Sequence, residues 1–131
     1  MAYDCCSALR PIIPDLVEIG VGALNLVQGN CPGLDSLELT AEFGKQPAFI
    51  GGADTQGVLP HGTVEEVRQV AARLIKGMKH DGGGYILVVS HTVPPEAPDQ
   101  NLFAMYEEVG ISRQGSFKRA AKIRRAGEAP L

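Results

Sequence analysis

The stretch 47–92, PAFIGGADTQGVLPHGTVEEVRQVAARLIKGMKHDGGGYILVVSHT, decides the fold. Pro47 to Gly51 is a brief apolar run of the length of a buried strand. Thr63 and Glu66 form a T-x-x-E capping box, and Val67, Val70, Ala71, Leu74, Ile75 and Met78 recur at helical spacing, which predicts a helix over 64–78. Gly82, Gly83 and Gly84 break the chain before Tyr85-Ile86-Leu87-Val88-Val89. That run is rich in strand-favouring residues and apolar on both faces, the composition of a central strand. Strand, helix and strand in this order, with both strands buried, make a right-handed crossover between parallel neighbours.

The same alternation extends on both sides. Residues 11–20 place Ile12, Ile13, Leu16, Val17 and Ile19 on a helical stripe, with Pro11 or Pro14 in the first turn and Gly20 as a stop. Ala23 to Val27 is the next strand, interrupted by Asn25, which needs a partner. Leu34, Leu37, Leu39 and Phe43 then mark a short helix capped by Asp35 and ended by Gly44. Asn101 is expected to cap a last helix through Val109, ended by Gly110. The pattern fits an open doubly wound sheet or part of a (β/α)8 barrel, which normally takes about 250 residues. No GxGxxG or GxxxxGK[ST] follows a strand, so the open-sheet reading lacks its usual phosphate signature.

Composition sets the outer limits. With 44% hydrophobic and 21% charged residues, the 131-residue chain is ordinary globular material that fits one domain. No apolar stretch approaches the roughly 18 residues of a membrane span, and the start lacks a secretory signal, so a cytoplasmic protein without a membrane partner is expected. Cys5, Cys6 and Cys31 are an odd number without a CxxC pair, which suits reduced thiols. Residues 113–131 carry six basic side chains against Glu128, a net +5 that leaves -8 for the rest. That tail has an amphipathic helix over 116–126 as one reading and a solvated terminus as the favoured other. Its one aromatic is Phe117, so nucleic acid is not expected as a partner.

Chemistry in either architecture collects where strands end. Those places hold Asp4, Cys5, Cys6 and Ser7 near the start, Asn25 and Gln28, then Asp54, Thr55 and Gln56, then Ser90, His91 and Thr92. His91, just past a buried strand, suits a general acid or base or a metal ligand, against the plainer reading of a loop-stabilising histidine. Asp54 follows Gly51 and Gly52, which permit a bend or a close approach by ligand; its plainer reading is turn capping. Cys5 and Cys6 are possible zinc thiolates and more plainly small buried hydrophobes. His61 and His80 are assigned no role.

Residues 51–75 (GGADTQGVLPHGTVEEVRQVAARLI) followed by 82–110 (GGGYILVVSHTVPPEAPDQNLFAMYEEVG) resemble the end of the uroporphyrinogen decarboxylase superfamily. Upstream, DCCSALRPIIPDLVEIGVGALNLVQ resembles the family segment that begins at His-x-Cys-Gly and runs into D-x-L-N-P-V-Q, and LDSLELTAEFG its D-x-x-x-L-K-x-x-F-G helix. The resemblance covers residues 4–111 and leaves 112–131 as a basic tail. It implies an α/β fold made of the last three to four βα units of a (β/α)8 barrel, with parallel strands.

The resemblance also implies a chemistry: cofactor-free removal of carboxylates from a tetrapyrrole. His91 and Asp54 would be the catalytic residues, with Gly51, Gly52, Gln56, Asn25 and Ser90 binding substrate. The alternative from the same superfamily is corrinoid-dependent, zinc-assisted methyl transfer to a thiol. Asp4 stands where its members have histidine, Ser7 replaces the glycine, and His91 replaces their last cysteine, so only an Asp4, Cys6, His91 set would hold zinc. A third reading is non-enzymatic: a truncated product, or an assembly partner for a separate amino-terminal half. Open sheet edges would then favour a homodimer or union with that half.

Overall fold

The computed structural model describes residues 1–4, 9–29, 31, 33–43, 46–78 and 84–127. In chain order the elements are β1 (Ala2–Asp4), a 3-10 turn (Arg10–Ile12), α1 (Ile13–Glu18), β2 (Ala23–Val27), α2 (Ser36–Phe43) and β3 (Ala48–Ala53). They continue with α3 (Val58–His61), α4 (Val64–Met78), β4 (Tyr85–Val89), α5 (Asp99–Glu108) and α6 (Arg113–Gly127). The four strands form one sheet in the order β1-β2-β3-β4, every pair parallel. Doubly wound sheets reverse their strand order at a switch point, whereas these strands advance without reversal. The described part is therefore a singly wound α/β sheet.

Right-handed crossovers in an unreversed order send their helices to one side. Accordingly α4 packs between α2 and α5. A Cβ on Gly77 of α4 would run into Leu37 of α2, so glycine sets how closely these two helices approach. Between this helix layer and the sheet lies the core of Leu24, Phe49, Leu39, Met78, Leu74 and Met105. Leu24 and Phe49 are register partners on neighbouring strands and are both buried. Alternation along the strands puts Ile50 opposite Ile86 on the other face, and there Ile86 keeps 54% of its surface exposed.

Helix α4 and strand β4 take the bounds their sequences predict. At the start of α4, Glu66 Oε2 accepts the Thr63 N–H at 2.7 Å, and the Glu66 N–H donates to Thr63 Oγ1 at 3.2 Å. The bond from the Thr63 N–H, and after it one from the Thr63 hydroxyl to Oε2 at 2.9 Å, hold the Glu66 carboxyl below its ordinary range. Asp35 caps α2 as expected, its Oδ1 accepting the N–H groups of Leu37 and Glu38, each at 3.0 Å. Two arginines tie elements together. Arg10 reaches Glu38 and Glu42 on α2, and Arg68 on α4 reaches Glu107 and Glu108 on α5.

Three expectations change. Strand β3 runs past PAFIG to Ala53. Asn101 is not a cap: α5 begins earlier, after Pro98, and Asn101 is buried with its Nδ2 donating to Leu59 O at 2.9 Å and Gly62 O at 2.8 Å. Leu59 lies in α3 and Gly62 just beyond its end, so a short amide on α5 satisfies two carbonyls of the α3–α4 connection. The tail is helical from Arg113, and its described side chains are exposed. Arg113 anchors its first turn by lying over the Phe103 ring, 4.7 Å from the centroid.

Candidate functional site

All four strands run the same way, so their carboxyl ends share one end of the sheet. In the register Ala53 faces Val89, which sets Asp54 and Ser90 as the first residues beyond two adjacent strands. The Ser90 N–H donates to Ala53 O at 2.8 Å and extends the ladder one step past β4. Ser90 is buried and His91, next to it, is exposed at the rim. Strand neighbours lie about 4.8 Å apart, so the Asp54 and Ser90–His91 backbones start from adjoining positions. Asn25 on β2 is half-buried and pairs in register with exposed Asp4 on β1. Gln28, just beyond β2, is buried, and its Oε1 accepts from the Cys31 thiol at 3.6 Å.

Asp54 is tied into the turn it begins. Its Oδ1 accepts the Gln56 N–H at 2.9 Å, its carbonyl accepts the Leu59 N–H at 3.1 Å, and a Cβ on Gly57 would collide with Oδ2. The capping reading of this carboxylate is thus realised, and the turn fixes where it stands. Gln56 is exposed beside it. Gly51 and Gly52 have φ of 125° and 92°, a backbone that bends β3 as it reaches the rim. A Cβ on Gly52 would lie 2.7 Å from the Tyr85 hydroxyl and 3.4 Å from Leu74, so side chains of the protein take the close approach there. Tyr85 donates to Gly51 O at 3.0 Å, and burial pushes its hydroxyl pKa up, so it remains a donor.

For zinc, Asp4 ends β1 and His91 lies two residues beyond β4, on the two outermost strands, which are about 14 Å apart across three strand spacings. Cys5 and Cys6 lie outside the described residues, as does His80. Among the described residues no three His, Cys, Asp or Glu side chains are grouped to hold a metal. His61 ends α3 and is exposed. No helix among the described residues is long and apolar enough to cross a membrane.

The structure thus brings Asp54, Ser90 and His91 to adjoining strand ends and places Asn25 one strand further on. Sequence reasoning missed Tyr85 as the lock on the glycine bend. Its signal was present: a hydroxyl opening an otherwise aliphatic strand, with two glycines on the strand before it. It also missed a cleft of about 230 Å³ on the helix side, where Asp54 and Gly52 meet Asp35, Ser36 and Arg73. Those residues come from distant segments and no local pattern joins them.

Residues 2–110 match the family model described as Uroporphyrinogen decarboxylase (URO-D). No curated protein matches the chain significantly. The match takes in every strand and the helices through α5, including the Asp54 turn and the Ser90–His91 strand end, and stops short of α6. On that match over most of its length, the chain belongs to the uroporphyrinogen decarboxylase family.

Proposed function

We propose that the sheet is the carboxyl-terminal part of a (β/α)8 barrel and that its rim binds an acidic tetrapyrrole for cofactor-free carboxylate removal. The observation that carries this reading is the Ala53–Val89 register pair, which sets Asp54 beside Ser90–His91 at the carboxyl ends of adjacent parallel strands. In the reaction the bond to the carboxylate carbon breaks, CO2 leaves, and the electron pair left on the side-chain carbon takes a proton. His91, exposed at the rim, positions the substrate or supplies that proton. Asp54, held by its turn, helps to bind the substrate, and half-buried Asn25 and exposed Gln56 complete the polar rim beside it. Gly51 and Gly52 serve by bending β3, which aims Asp54.

The basic groups that balance a tetrapyrrole's acidic side chains come, in this reading, from the other strands of the barrel. The half-bare sheet face around Ile86 is where those strands, or a second copy, associate. The chain alone therefore binds substrate better than it turns it over. Fluorescence titration with uroporphyrin tests this: saturable binding is expected, about 10-fold weaker in His91→Ala, the loss of one charge-assisted hydrogen bond. Absence of binding, or a variant that binds like the parent, overturns it.

A further inference from the structure

Helix α6 lies beyond the residues matched to the family, and its side chains from Arg113 to Arg124 are exposed. No acidic residue stands in it, and among the described residues Lys118, Arg119, Lys122 and Arg124 form no salt bridge. Its positive charge is thus unbalanced from within. Exposed charges are screened over about 8 Å at physiological salt, so the acidic body acts weakly on a helix that packs closely against no other element.

The same helix has an apolar side. At 3.6 residues per turn Phe117, Ala120 and Ile123 follow one another at three-residue steps along one side, while Lys118 and Lys122 stand opposite and Arg119 at the edge. Ile111 extends the apolar side, since it lines one shallow groove with Ala120 and Ile123. Phe117 and Ile123 keep 65% and 67% of their surface exposed. Arg124, two turns past Phe117, shares that side, and its long stem allows an apolar base with a charged tip.

These features narrow the partner. A protein groove holds a helix by large anchors at i, i+3 or i+4 and i+7, whereas only Ala120 stands between Phe117 and Ile123 on this side. Nucleic acid would engage the cations and leave the apolar side in water. A bilayer interface takes both, because anionic headgroups meet the cations and the acyl boundary accepts a thin apolar side without matching its shape. We infer that α6 lies on the surface of an anionic lipid bilayer, with Phe117 and Ile123 inserted and Lys118, Arg119 and Lys122 among the headgroups. Such contact from one side requires no spanning helix. The inference does not depend on the tetrapyrrole reading, whose residues all precede α6.

The chain has no tryptophan, so Phe117→Trp gives the full chain a single fluorescent reporter. It is titrated with vesicles of phosphatidylcholine, with vesicles of phosphatidylcholine and phosphatidylserine in equal parts, and with a short RNA duplex. Blue-shifted emission and saturable cosedimentation are expected with the phosphatidylserine vesicles, at least about 10-fold tighter than with phosphatidylcholine alone. In the parent chain, Lys118→Gln combined with Lys122→Gln should weaken that cosedimentation about 30-fold, and Phe117→Ser about 10-fold, with the far-UV circular dichroism unchanged. No binding to either vesicle, equal binding to both, tighter binding to the RNA, a dimer in light scattering that the lysine variant abolishes, or full vesicle binding in both variants overturns the proposal.

Discussion

The two faces of the sheet are built from similar residues and live in different surroundings. On one, Leu24 and Phe49 are packed under α2, α4 and α5 and are 1% and 0% exposed. On the other, Ile86 is 54% exposed although it sits in a strand as apolar as any in the chain. Parallel sheets are normally covered on both sides. The contrast teaches that strand composition here anticipates two-sided burial, while the described helices supply only one side.

Phe49→Ala is the sharpest way to break the contrast. It empties the covered face and should cost about 3–5 kcal/mol, read as a lower urea midpoint. Ile86→Ala on the open face should cost under about 1 kcal/mol in the dissociated chain. A cost for Ile86 rivalling that for Phe49 would mean that the second face is covered in solution. Asn101→Ala leaves the Leu59 and Gly62 carbonyls without their donor and should cost about 1–3 kcal/mol by the same denaturation.

Thr63→Ala removes the cap of α4, the helix that covers the sheet, and should cost about 1 kcal/mol at neutral pH. The Glu66 carboxyl in that cap titrates below its ordinary value, which gives a sign to the pH dependence. Its contribution is full above the unfolded glutamate pKa and fades as pH falls through the lowered folded value. The stability gap between the parent and Thr63→Ala should therefore narrow in acid. A gap that stays constant down to pH 3, or about there, would assign the cap to the hydroxyl alone.

Much of this was legible because the signals are local. Capping pairs Thr63/Glu66 and Asp35 with its own amides span a few residues, and the 64–78 periodicity is carried by six apolar side chains. Asn101 was misread because a cap and a buried amide look identical in sequence; only its long-range carbonyls, some 40 positions earlier, distinguish them. The rim positions of Asp54 and His91 followed from strand ends, yet the Asp54 turn and the Tyr85 lock are tertiary facts. The same is true of Ser36, whose burial depends on how α2 meets α4.

In the proposed function Asp54 and His91 act on one ligand from adjacent strand ends. A double-mutant cycle on uroporphyrin affinity, with Asp54→Asn, His91→Ala and the double variant, tests it most directly. Each single variant should weaken binding about 10-fold, and the double should lose clearly less than the product of the two, the mark of groups sharing a substrate. Strict additivity, or full affinity in the double variant, would contradict the claim.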